Sequence, residues 1–182
     1  MLEEMFSRTN FMSFSVASKA EDGELVGYCM AYAHSTEPKA PVYNHPDSED
    51  LWQSKLNKLE DIIQASYPFD MCEPDQAGRL HPNSVDVRSV LELFLVGVND
   101  KFAGRNIAYD LMLLSTALGY LRGLTVAVAT CTNPRSSHFY KIGGHTFKPL
   151  LYREYEIDGE KPFADAEEDG IRFVCSQYRL MN

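Results

Sequence analysis

Positive charge is scarce in this sequence: 17 Lys and Arg stand against 26 Asp and Glu, a formal net charge of −9. Proteins that bind nucleic acid neutralise phosphates with clustered Lys and Arg, so the deficit excludes a general nucleic-acid surface. Long apolar runs are missing as well. The longest, Val90–Val98, carries Glu92 inside it and has the length of a strand, which argues against a membrane-spanning partner of lipid. No charged start leads into an apolar signal region, and the four cysteines, Cys29, Cys72, Cys131 and Cys175, form no paired motif. A soluble protein of the reducing cytoplasm is expected. His45, Asp47, Glu49 and Asp50 match no zinc or calcium spacing and read as a solvated acidic loop, so no metal is expected. His34, His81, His138 and His145 join no cysteine in a nucleophile motif and read as structural or solvent-facing. Nothing in the residues sets an oligomeric state.

What remains is a chain of 182 residues, 45% hydrophobic and 24% charged, with apolar residues spread from end to end. That is the size and composition of one domain, 1–182, with a substantial core. An acidic protein suits an amine cation as its small partner. The same charge repels an anionic ligand, so a phosphate site has to be built locally from backbone amides and a few cations.

The patterning predicts an α/β domain. Residues 11–18 and 25–33 are strand-like and flank a Glu-Asp-Gly turn, an antiparallel hairpin. Residues 34–50 read as a surface excursion. Trp52, Leu56, Leu59 and Ile63 then repeat at helical spacing over 51–67, with Asp47 or Ser48 as N-cap. Residues 68–86, rich in Pro, Asp and Asn, read as an irregular loop. Val90–Val98 is apolar on both faces, as a central strand is, and 124–130 repeats the pattern. Between them Ile107, Leu111, Leu114, Leu118 and Leu121 make one helical stripe ending at Gly123, which predicts strand, helix, parallel strand. A helix over 136–142 and strands near 146–157 and 171–180 complete the domain.

Two features carry chemistry. Lys101, Ala103, Gly104, Arg105, Asn106, Ile107 and Ala108 lie where the central strand passes into the helix, and free N–H groups with two cations there can cradle a pyrophosphate. The bland alternative is a connecting loop that happens to contain a glycine; neither a Gly-Lys-Ser/Thr loop nor a full G-x-G-x-x-G is present. Glu92 is a carboxylate in an apolar strand. It is either a general base facing a wet cleft or half of an ion pair with a Lys or Arg.

From residue 10 onward the order of elements resembles the GNAT N-acyltransferases, and among them the arylalkylamine N-acetyltransferases of insects and nematodes. The loop Ala103-Gly-Arg-Asn-Ile-Ala108 aligns with the family's Arg/Gln-x-x-Gly-x-Gly/Ala, with Ala103 and Asn106 departing from it. The segment Cys131-Thr-Asn-Pro-Arg-Ser136-Ser-His-Phe-Tyr140-Lys-Ile-Gly-Gly144-His145 resembles the second cofactor segment, with His145 where Phe is usual. The resemblance implies a mixed central sheet with flanking helices. Relative to the family the sequence starts late, and the N-terminal strand and first helix are expected to be missing.

The resemblance also implies roles. Acetyl-CoA or another acyl-CoA is the co-substrate and a small primary amine the acceptor. Tyr140 stands at the position of the acid that protonates the departing thiolate, with a core aromatic as the bland alternative, and Thr132 and Ser136 match two hydroxyl positions of the insect enzymes, although a helix cap explains both. Asn133 is placed to meet the pantetheine amides. Leu95, Val96 and Val98 are expected to offer backbone groups to the pantetheine arm, with Gly97 allowing a bulge or a close approach. Glu92 lies at a spacing from the loop similar to that of the general-base Glu of histone acetyltransferases. Three readings stay open: a small-amine N-acyltransferase, a catalytically weak or inactive acyl-CoA-binding module, and a peptide or protein N-acetyltransferase.

Overall fold

The computed structural model describes residues 13–34, 67–131, 138–140, 144, 146–151, 156, 159, 161 and 173–181. Residues 51–66 of the helix predicted over 51–67, the cluster from His45 to Asp50, and Thr132, Asn133, Ser136 and His145 lie outside the described residues.

Among the described residues, eight strands and one long helix follow in order: β1 (Val16–Lys19), β2 (Leu25–Ala33), β3 (Asp70–Cys72), β4 (Ser84–Asp86), β5 (Val90–Val98), α1 (Ile107–Leu121), β6 (Val126–Cys131), β7 (Thr146–Leu151) and β8 (Phe173–Leu180). Six of them form one mixed sheet in the order β1-β2-β5-β6-β8-β7. The hairpin of β1 and β2 is antiparallel, with Val16 opposite Cys29. Its turn is closed by Gly23 at φ 89° and by the Asp22 carboxylate, which accepts from the Glu24 N–H at 2.9 Å.

β5 and β6 are parallel and joined through α1, as the sequence predicts. The helix stops where a Schellman cap satisfies its last carbonyls. Gly123, at φ 83°, donates to the Tyr120 carbonyl and Leu124 to that of Gly119.

Two expectations need correction. Residues 68–86 are not wholly irregular, because β3 and β4 pair there in parallel, Asp70 to Ser84 through Cys72 to Asp86. The buried face of α1 is Leu111, Met112, Ser115, Thr116 and Gly119, while Leu114 and Leu121 are 56% and 78% exposed. Small residues win that face because the helix lies so close to the sheet that a Cβ at Gly119 would meet Leu91 Cδ2 at 2.8 Å. The bulge in β5 falls at Phe94, since Met30 pairs with Leu95 and Ala31 with Leu93.

The sheet has a core on each face. Leu91, Leu93, Cys29 and Ala31 pack under α1 against Leu111 and Met112. Val90, Val126 and Val128 form the opposite cluster, covered by Tyr67, Phe69, Met71 and Val85. Burying a leucine fully contributes about 1.5–3 kcal/mol, so Leu91 and Leu93 anchor the strand that carries the site. Among the described residues no helix is long and apolar enough to cross a membrane.

Candidate active site

The site begins with a fork in the sheet. β5 pairs with β6 only over Val90, Leu91 and Glu92, while it pairs with β2 out to Val98. Among the described residues, 93–98 have no strand partner on the edge that faces β6, the kind of edge along which an extended ligand arm can pair. Leu95, Val96 and Val98 all lie on this stretch. Val96 packs into the core beneath α1, whereas Leu95 is exposed on the other face. Gly97 does serve a close approach, but of a neighbouring side chain: a Cβ there would lie 2.8 Å from the Tyr28 ring and hydroxyl.

Beyond β5 the chain makes one turn of 3-10 helix, Asp100–Phe102, capped by the Asn99 side chain. It then reaches α1 through two left-handed residues, Gly104 at φ 77° and Asn106 at φ 61°. Asn106 is the N-cap of α1 without a side-chain cap bond, and its carbonyl accepts the first helical bond, from Asp110. The N–H groups of Ile107, Ala108 and Tyr109 are therefore the open donors of the first turn, and among the described residues no backbone group accepts from Gly104, Arg105 or Asn106. Ala103 is extended and turns the chain into this loop. Lys101 Nζ sits 2.7 Å from Glu24 Oε1, and the Arg105 guanidinium lies over the Phe102 ring at 5.5 Å. Both cations are at the loop. An open depression of about 550 Å³ beside it is lined by Glu24, Val26, Tyr28, Gly97 and Asp100, among others.

Glu92 stands at the branch point, its side chain 15% exposed. His34 Nε2 lies 2.8 Å from Glu92 Oε2, with its side chain 7% exposed. The approach is short but not aligned as a full hydrogen bond, and Nε2 is buried. Strand pairing produces the contact: Tyr32 is directly opposite Glu92, and the His34 N–H donates to the Val90 carbonyl at 2.9 Å. The Tyr32 ring lies between the His34 ring at 5.7 Å and the Phe94 ring at 6.1 Å. His34, read from sequence as structural or solvent-facing, is thus beside the candidate base. Period-two alternation of Tyr28, Met30, Tyr32 and His34 held the signal, but it needed the β2–β5 register to be read.

Tyr140 comes from a helical turn at 138–140 and is buried in the core cluster with Cys29 and Cys131, 4% exposed. Burial first, and then the negative charge that Cys29, Cys131 and Glu92 can carry, hold its phenol well above the usual tyrosine range. Its proton stays in place at any physiological pH. The Glu92 carboxylate is near enough to Tyr140 to act on its phenol electrostatically.

The sequence matches no protein-family model and no curated protein sequence. Solved structures match it by shape. The chain is similar to arylalkylamine N-acetyltransferase 2 from Aedes aegypti, with TM-score 0.68, 15% identity, and coverage of 100% of this chain and 80% of that one. It is also similar to the polyamine N-acetyltransferase of Drosophila melanogaster, with TM-score 0.63, 18% identity, and coverage of 93% and 76%. A mosquito arylalkylamine N-acetyltransferase like 5b matches with TM-score 0.64, 16% identity, and coverage of 100% and 81%. The chain therefore has the GNAT acetyltransferase fold, a mixed α/β sheet opened beside its central strand.

Proposed function

We propose that this chain is an acyl-CoA-dependent N-acyltransferase that moves an acetyl or longer acyl group to a small primary amine by direct attack in a ternary complex. The observation that carries the reading is Glu92, a largely buried carboxylate at the residue where β5 leaves β6. In a fold of this kind the open edge at 93–98 suits the amide-bearing pantetheine arm. The open amides at 104–109, two left-handed residues and the cations of Lys101 and Arg105 suit the pyrophosphate.

Glu92 takes a proton from the acceptor ammonium, and the freed nitrogen attacks the thioester carbon. The carbon–sulfur bond breaks, the sulfur takes a proton, and the nitrogen gives up its second proton as the amide forms, which restores the group that protonated the sulfur. Tyr140 is the donor proposed for that step, because its phenol keeps its proton until a strong base arrives. Thr132, Asn133 and Ser136 follow directly on the end of β6 in sequence and belong to the same proposal. Tyr32 and Phe94 put aromatic surface beside Glu92, which supports an arylalkylamine as the acceptor class. The free thiols of Cys29, Cys72 and Cys131 support a reducing, cytoplasmic setting.

The test is a thermal-shift and turnover screen with acetyl-CoA and longer acyl-CoAs, using phenethylamine, spermidine and a short peptide as acceptors. A ligand at 100 times its dissociation constant stabilises by about 2.7 kcal/mol, a shift of several degrees. Thiol release with phenethylamine is the expected result. Stabilisation by acyl-CoA without transfer to any acceptor would favour the binding-module reading, transfer to the peptide alone would favour the protein acetyltransferase, and no stabilisation at all would refute the proposal. Reversing charge with Lys101→Glu and Arg105→Glu together should raise the acyl-CoA dissociation constant.

A further inference from the structure

Two heteroatoms 2.8 Å apart need a proton between them, and Glu92 Oε2 and His34 Nε2 are such a pair. A buried imidazole nitrogen without an aligned partner is a group that folded proteins avoid, and Oε2 is the acceptor in reach of it. The imidazole is itself held. Its backbone N–H is fixed to the Val90 carbonyl, one edge of its ring meets Tyr32, and its side chain is nearly excluded from water.

We propose that His34 is a positioning residue for Glu92: its Nε2–H holds one carboxylate oxygen, stops the carboxyl group from rotating, and so aims the base at the acceptor nitrogen. This rests on the reading of Glu92 as the base. Residues that orient a catalytic group from behind act on the rate of the chemical step more than on binding. His34 reaches Glu92 from the neighbouring strand and not from the cofactor loop, so its loss should leave acyl-CoA binding alone.

The experiment compares the parent with His34→Ala, His34→Gln and Glu92→Gln, using acetyl-CoA and phenethylamine, with thermal unfolding as the folding control. His34→Ala should lower kcat roughly 10–100-fold, by analogy with outer partners of metal ligands, with KM for acetyl-CoA unchanged. His34→Gln puts an amide nitrogen where Nε2 stood and should recover most of that loss, which a general packing defect would not allow. A histidine ring-proton resonance shifted by the carboxylate should be present in the parent and displaced in Glu92→Gln, a readout that needs no turnover. Parent-like kcat in both His34 variants while Glu92→Gln is inactive would overturn the positioning role and leave the base reading standing. Parent-like turnover in Glu92→Gln would instead remove the base. Should His34→Ala fail to fold, parent-like kcat in His34→Gln supports the proposal only if the ring-proton resonance is displaced in Glu92→Gln; an unmoved resonance overturns it.

Discussion

A Cβ placed on Gly27 would lie 2.8 Å from the Gly97 carbonyl oxygen and 3.1 Å from Leu111 Cδ1, so β2, β5 and α1 meet at a point that admits no side chain. The contact sets how close the helix comes to the strand whose end leads into the loop at 100–106. Because one obstructing atom is backbone, it cannot swing aside as a side chain would. Gly27→Ala should destabilise the fold by about 1–3 kcal/mol, the usual cost of overpacking. Urea unfolding checks it, and an unchanged midpoint would mean that the strands separate freely here.

Asn106 holds φ 61° without giving its side chain to the helix cap. The left-handed conformation costs most residues about 1 kcal/mol, less for Asn and nothing for Gly. Asn106→Gly should therefore keep the loop's shape while removing a carboxamide beside the proposed pyrophosphate. The expected result is tighter acyl-CoA binding by up to about tenfold, equivalent to one recovered hydrogen bond of about 1.4 kcal/mol. Calorimetric titration that finds equal or weaker binding would mark the Asn106 side chain as harmless or as a contact in its own right.

Tyr140→Phe separates two uses of one buried side chain. The ring fills the core in either residue, so the variant should fold. Loss of the phenol should lower kcat by about 100-fold with a smaller effect on acyl-CoA affinity, because a proton donor to the leaving sulfur acts in the transition state. Equal turnover by both proteins, with chemistry limiting the rate, would assign Tyr140 to packing alone.

The elements legible in the sequence are those with long, uninterrupted patterns. β2 and β5 have nine residues each and α1 has 15, and their bounds follow from apolar runs and from Gly123, whose positive φ a helix cap requires. β3 and β4 have three residues each, too few to show an alternation, and they exist because Met71 and Val85 cover Val90 and Val126. The leucine stripe located α1 but misjudged which face is buried, since Ser115, Thr116 and Gly119 win by allowing close approach rather than by being apolar. Glu92 stood out as a charge in an apolar run. Its neighbour did not, because the meeting of His34 with Glu92, 58 positions apart, is a matter of strand register.

Cys29 offers a prediction that is independent of any ligand. Its thiol is fully buried beneath α1, and burial pushes its pKa from 9.0 up to about 11, partly offset by a hydrogen bond with Ser115. Burial favours the neutral thiol, so the folded-state value lies above the unfolded one. The sign follows by linkage: the stabilisation is fully present below about pH 9 and is lost as pH rises toward 11, because the unfolded chain releases this proton first. A difference of that size corresponds to about 2–3 kcal/mol. Tyr140, whose phenol is also raised by burial, adds a loss in the same direction. Urea midpoints measured from pH 7 to 11 should fall steeply above pH 9. Cys29→Ala should be less stable at pH 7, because a buried group is removed, yet should show a shallower decline above pH 9. Parallel declines for the parent and Cys29→Ala would show that the thiol ionises in the folded protein as easily as in the unfolded one, and that α1 opens to admit water before the chain unfolds.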